Sequence, residues 1–306
     1  MALLKSQAKV GNPTLREALE EFIVECRTKN LSPSTAEFYE RRVSEFLEPW
    51  LEVPLLDVTI HDVRERICYC QERSYSPATI NGNLRAVKAL FNYALREDYD
   101  ITLNPKAIRA IKEPKRVMPH LSTEDEIRAL LSQPNQQTFL GLRDFTMMLV
   151  TLDSGIRVGE LVGLDVDDVK LPQLKVRGKG DKERLIRLSD QVQKTMMKYL
   201  RARKECGVAG NFLFPSRHGR RISARTFAGH LKEYGEAAGI TSITLAPHRL
   251  RYTYATHYLR NGGDIVSLQG IMGHTTLTQT RHYAQVTNAD FIEHAPKFSP
   301  VGKLKL

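Results

Sequence analysis

The sequence predicts a mainly α-helical protein with one small β-hairpin or sheet, divided into a helical N-terminal domain and a mixed α/β C-terminal domain. Three observations carry that prediction. Apolar residues recur at helical spacing in four runs between Thr14 and Ala94, separated by short breaks. A stretch rich in breakers, Asp100 to His120, then interrupts every helix of useful length. In the second half, Leu174 to Ser189 alternates with a period of two around a Gly178-Lys179-Gly180-Asp181 tip, which is the pattern of a hairpin.

The first helix starts at Thr14, an N-cap with Glu17 three residues on, and puts Leu15, Leu19, Phe22 and Ile23 on one face. The second starts at Ser32-Pro33-Ser34, where proline suits a first helical turn, and runs through Phe38, Val43, Phe46 and Leu47. A third spans about Thr59 to Glu72. The fourth opens at Ser76-Pro77 and carries Ile80, Leu84, Val87, Leu90, Phe91 and Ala94 along one stripe. These define a helical domain over residues 1–110 and a linker over 111–120. The second domain, 121–306, opens with Leu121 and the acidic cap Thr123-Glu124-Asp125-Glu126. Helices are predicted near 123–132 and 139–153, then the hairpin, then further helices broken at Gly207 to Gly210, Gly219, Gly239 to Ala246, Asn261 to Gly263 and Gly273.

With 306 residues the chain can bury two separate cores. Hydrophobic residues at 42% and charged residues at 26% are globular values, and no apolar run is long enough for a membrane span. The N-terminus shows no secretion signal, so a cytoplasmic, nucleoid-associated protein without a membrane partner is expected. Cys26, Cys68, Cys70 and Cys206 are too few and too irregular for a disulfide framework or a metal site. Charge is unevenly shared. Residues 1–115 carry 17 Lys+Arg and 17 Asp+Glu, so the net charge of +10 lies wholly in the remainder. A basic excess of that kind suits a polyanion through counterion release, although a solvated basic face would look the same.

Four stretches of the second domain carry residues suited to phosphate chemistry. In Ser154-Gly155-Ile156-Arg157-Val158-Gly159-Glu160-Leu161 a glycine break precedes a short helix with Arg157 and Glu160 three apart, so that Glu160 could orient a guanidinium fork; a plain surface ion pair would show the same spacing. Lys179 stands between two glycines at the hairpin tip, free to swing toward a leaving oxygen or to serve only as a turn lysine. Pro247-His248-Arg249-Leu250-Arg251 places His248 at a helix N-terminus and Arg251 one turn on, an anion site in outline or simply a solvated helix face. Finally, Gly273-His274 is followed nine residues later by Tyr283. A phenol needs nearby cations and a proton acceptor to attack, and a tyrosine taken alone is by default a packing residue.

Taken in order, Arg, Lys, His-x-x-Arg, Gly-His and Tyr resemble the tyrosine recombinases, also called the phage integrase family. The likeness covers nearly the whole chain and is strongest in Ser154 to Val166, Val176 to Leu188, Leu213 to Pro215, Pro247 to Leu259 and Ile271 to Val286. The N-terminal helices resemble the family's core-binding domain, notably at Leu31 to Tyr39 and from Thr79, and the layout is similar to the Xer-type members. Tyr252 departs from the pattern, since the family often has histidine directly after the second arginine.

The resemblance implies a site-specific recombinase that cleaves and rejoins double-stranded DNA at specific sites through a 3′-phosphotyrosyl bond to Tyr283. Arg157 and Arg251 would clamp the non-bridging oxygens, His248 would act as general base and Lys179 as general acid, His274 would hydrogen-bond the phosphate, and Glu160 would support Arg157. No metal, ATP or other cofactor is implied. The working unit would be a tetramer on two DNA sites, either of this chain alone or with a related recombinase. The 23 residues beyond Tyr283, which at about 3.3 Å each reach roughly 75 Å, would let Phe291, Ile292 and Phe298 dock on a neighbouring subunit. Chromosome-dimer resolution and integration or excision of a mobile element are both compatible with this reading. A type IB topoisomerase-like enzyme, a non-catalytic DNA-binding protein and a metal-dependent nuclease are the competing expectations.

Overall fold

A computed structural model of the chain describes residues 12–114, 119–121, 123–178, 183–273, 276, 277, 280 and 283. It divides into two compact units, Met1–Lys115 and Arg116–Leu306.

The first unit is built from α1 (Leu15–Thr28), α2 (Pro33–Phe46), α3 (Ile60–Glu72) and α4 (Pro77–Arg96). Local sequence sets each start. Thr14 and Thr59 form capping boxes with Glu17 and Asp62, and Ser76 accepts a hydrogen bond from the Thr79 amide. Each cap satisfies backbone donors that the first turn leaves over. The apolar stripe of α4 is buried in full, against Leu15, Phe22, Val43 and Phe46 from α1 and α2.

The docked part of this unit is longer than the breaker-rich sequence suggests. Leu103, Pro105 and Ile108 are buried, and the Asn81 side chain clamps the Ile111 backbone, accepting from its amide at 2.8 Å and donating to its carbonyl at 3.0 Å. Pro105 opens a 3₁₀ turn over Pro105–Ala107, and turns are compatible with burial.

The second unit begins against its own core: Leu121 is buried and its amide donates to Thr253 Oγ1 at 3.1 Å. After α5 (Glu124–Leu131), capped by Thr123 and Glu126, the long α6 (Phe139–Ser154) packs against α8 (Asp190–Glu205) and α10 (Pro247–Arg260). Between α6 and α8 lie the short α7 (Val158–Gly163) and an antiparallel sheet of β1 (Val169–Lys170), β2 (Gln173–Arg177) and β3 (Glu183–Arg187), in that order. The hairpin read from the sequence is β2–β3; two-residue β1 is too short to show a period. The unit closes with α9 (Ala224–Ala237), α10 and α11 (Ile265–Met272).

Candidate active site

Two left-handed glycines shape the site. Gly155 (φ +60°) ends α6 and Gly273 (φ +62°) ends α11, as C-terminal glycines do because they lack the Cβ that this conformation crowds. Each turn delivers a carbonyl to an arginine. Arg251 donates to Gly155 O and, at 2.9 Å, to Met272 O, while Arg157 donates through Nη2 to Gly273 O at 2.8 Å. A methyl group at Gly273 would lie 3.2 Å from Arg184 Nη1 and 3.4 Å from Arg157 Nη1, so the space is already filled by guanidiniums.

Arg157 does not lie inside the helix, as its spacing to Glu160 suggests, but immediately before it. Its backbone is extended (φ −71°, ψ 145°) at the N-cap of α7, because the left-handed turn at Gly155 and the extended Arg157 redirect the chain before α7 can start. Glu160 closes the cap by accepting from the Arg157 amide at 3.0 Å and pairs with Arg157 Nη1 at 3.0 Å. The Glu160 side chain is only 7% exposed. Burial pushes its carboxyl upward, but hydrogen bonds from Arg184 and from the Arg157 backbone outweigh that effect and hold it below the usual carboxylate range. Glu160 is therefore an anion at neutral pH.

Arg251 sits one turn into α10 and is buried. Burial and the neighbouring Arg157 charge bring its pKa down to about 10, while Tyr283 and Glu160 act in the opposite direction, so it stays charged at pH 7. Tyr283 lies within hydrogen-bonding reach of this guanidinium. Its ring packs on Tyr252, with centroids 4.8 Å apart and planes tilted by 57°, and Tyr252 in turn faces His120 at 5.3 Å. His248 occupies the first turn of α10, with an outer face open to solvent. Burial of its inner side, then the adjacent Arg249 charge, lowers its pKa, leaving a neutral imidazole able to accept a proton.

Of the residues singled out in the sequence, Arg157, Glu160, Arg251 and Tyr283 are thus brought together, with His248 on the helix that carries Arg251. Lys179 and His274 lie outside the described residues, as do Phe291, Ile292 and Phe298. Sequence reasoning missed Arg184. It pairs with Glu160 through Nη1 and Nη2, at 3.0 and 2.7 Å, and donates through Nε to Ile271 O at 3.0 Å. A signal was available: Arg184 shares the inward face of β3 with buried Ile186, while Glu183, Leu185 and Arg187 point outward, and a charge on a buried face calls for a partner. The arrangement presents two guanidiniums beside a phenol, chemistry suited to an anionic, tetrahedral group approached by an oxygen nucleophile. Among the described residues no cluster of His, Cys, Asp and Glu could hold a metal ion, and no helix is long and apolar enough to cross a membrane.

Comparison with known proteins agrees along most of the chain. The family model described as "Phage integrase family" matches residues 121–290, and "Phage integrase, N-terminal SAM-like domain" matches residues 18–101. The tyrosine recombinase XerD of Yersinia pestis is 34% identical over 283 residues, spanning 90% of this chain and 93% of that protein. Among solved structures, XerH site-specific recombinase bound to palindromic difH substrate in a post-cleavage complex aligns with a TM-score of 0.72 at 20% identity, over 90% of this chain and 83% of that one. A lambda integrase tetramer bound to a Holliday junction aligns at 0.73 and 18% identity, over 89% and 78%. At those identities the two structures speak for the fold alone.

Proposed function

This chain belongs to the phage integrase family, a tyrosine recombinase similar to the Xer proteins, and from that premise we propose how its own residues cleave and rejoin DNA. Tyr283 attacks a scissile phosphate, and the phosphorus–oxygen bond to the 5′ side breaks as the phenolic oxygen–phosphorus bond forms. This leaves a 3′-phosphotyrosyl link and a free 5′-hydroxyl; the reverse step, with a hydroxyl from a partner strand, reseals the DNA. Arg157 and Arg251 hold the non-bridging oxygens as charge builds at phosphorus. His248, neutral at working pH, takes the phenolic proton. Lys179 gives a proton to the departing 5′-oxygen, His274 hydrogen-bonds the phosphate, and Glu160 keeps the Arg157 fork in place.

The observation that carries this reading is the placement of Tyr283 against Arg251, with that guanidinium and Arg157 each held by a carbonyl at a left-handed glycine turn. A homo-tetramer on two DNA sites is the proposed working assembly, with Phe291, Ile292 and Phe298 docking in trans. The similar fold of lambda integrase is found as a tetramer on a Holliday junction.

The test begins with mapping where the purified protein binds in genomic DNA. A nicked suicide duplex carrying such a site is then offered to wild-type and Tyr283→Phe protein. A covalent adduct is expected with wild type, with chelator present or absent, and none with the variant. Equal trapping by both would refute Tyr283 as nucleophile, and deletion after Gln285 with synapsis intact would refute docking of the tail in trans.

A further inference from the structure

We propose that Arg184 is a positioning residue of the strand-cleavage centre, one guanidinium that ties Arg157, the end of α11 and the β2–β3 hairpin into a single unit. The inference rests on the catalytic reading above and extends it to a residue that reading does not use.

Three observations carry it. Arg184 engages both oxygens of Glu160, the same carboxylate that holds the Arg157 guanidinium and caps its backbone. Its Nε binds Ile271 O in the last turn of α11, two residues before Gly273, whose own carbonyl holds Arg157. Its strand, β3, pairs with β2 through Val176 opposite Arg184, and these two strands form the hairpin whose connecting sequence contains Lys179. The Arg184 side chain is 16% exposed, so it is available to DNA far less than Arg157 at 40%. A planar fork can span a carboxylate and a carbonyl at once; a lysine ammonium cannot match that geometry.

Among the described residues, the charged groups facing Glu160 are Arg157 from the N-cap of α7, Arg184 from β3 and, from α10, Arg251. Removing Arg184 leaves burial opposed mainly by Arg157, which raises the Glu160 carboxyl and lets protonation release Arg157 at higher pH.

The experiment measures adduct formation on the nicked suicide duplex against pH, at saturating DNA, for wild type, Arg184→Met, Arg184→Lys and Arg184→Met combined with Glu160→Gln. The expectation for Arg184→Met is DNA affinity within about threefold of wild type and cleavage slower by about 100-fold, the scale of an ångström-sized misplacement. On the acid side His248 protonation slows every variant alike, so the readout is the rate of Arg184→Met relative to wild type at each pH: it should fall further as the pH is lowered, and that extra fall should vanish in the double variant. Arg184→Lys should recover part of the rate with a smaller extra fall. A relative rate of Arg184→Met that stays constant with pH, or wild-type rates, overturns the proposal. If Arg184→Met fails to fold, Arg184→Lys decides: a wild-type rate overturns it, and a reduced rate at unchanged affinity supports it. A wild type that never forms the adduct would instead sink the catalytic reading.

Discussion

The two units of the molecule solve burial differently. In the first, the buried polar side chains among the described residues are Asn81 and Asn83, and no ionised side chain is buried with them. In the second, Arg143, Asp144, Asp168, Arg203 and Arg251 are all buried. Arg143 pairs with Asp144 at 2.8 Å and also donates to Pro215 O, whereas Arg203 and Arg251 are held by backbone carbonyls, Arg203 by Gly210 O and Phe212 O and Arg251 by Gly155 O and Met272 O. A carbonyl satisfies a guanidinium hydrogen without cancelling its charge, which is what a site for a polyanion needs. The first unit, neutral in sum, is organised to fold; the second keeps cations in place at a cost in desolvation.

That contrast can be broken most sharply at Arg251. Arg251→Ala should lower cleavage of the suicide duplex by about 1,000-fold at saturating DNA, as expected for losing a principal stabiliser of developing charge; a loss in binding alone would place the residue outside the chemistry. Phe46→Ala, in the apolar core, should cost about 3–5 kcal/mol and move the denaturation midpoint read by Trp50, the protein's single tryptophan, which reports on the first unit. Gly155→Ala should cost about 3 kcal/mol, since a Cβ there meets Tyr254 Cδ1 at 2.4 Å at φ +60°. Gly207→Ala, with φ +61° but open space, should cost about 1 kcal/mol. Circular dichroism would follow both, and equal costs would remove the role given to the packed turn.

The smallest effect concerns pH. The Glu160 carboxyl is held below its ordinary value of 4.5 in the folded protein, so the stability it contributes is present above about pH 4.5 and is lost as pH falls through the lower folded value. The stability gap between wild type and Glu160→Gln, measured by urea titration, should therefore narrow as the pH is taken from 7 toward 3. A gap that stays constant would mean the ion pairs contribute nothing specific.

Legibility followed the same division. In the first unit the capping boxes at Thr14 and Thr59 and the stripe on α4 are local and periodic, so four helices could be placed within a few residues. What escaped was the docking of Leu103 and Ile108, because breaker residues mark turns without saying whether those turns pack. In the second unit the types and order of the candidate residues were visible. The placement of Arg157 before α7, the part of Arg184 and the packing of Tyr252 against Tyr283 were not.

Sequence alone therefore determined most of the elements, the charge asymmetry and a set of candidate groups for phosphate chemistry, because caps, periods and side-chain chemistry are properties of residues and near neighbours. Tertiary structure decided which cations are held together and by what. Arg157 is bound to a carbonyl 116 residues away and Arg184 to one 87 residues away, and no period or local spacing encodes a pairing made only when helix ends and a strand edge are packed together.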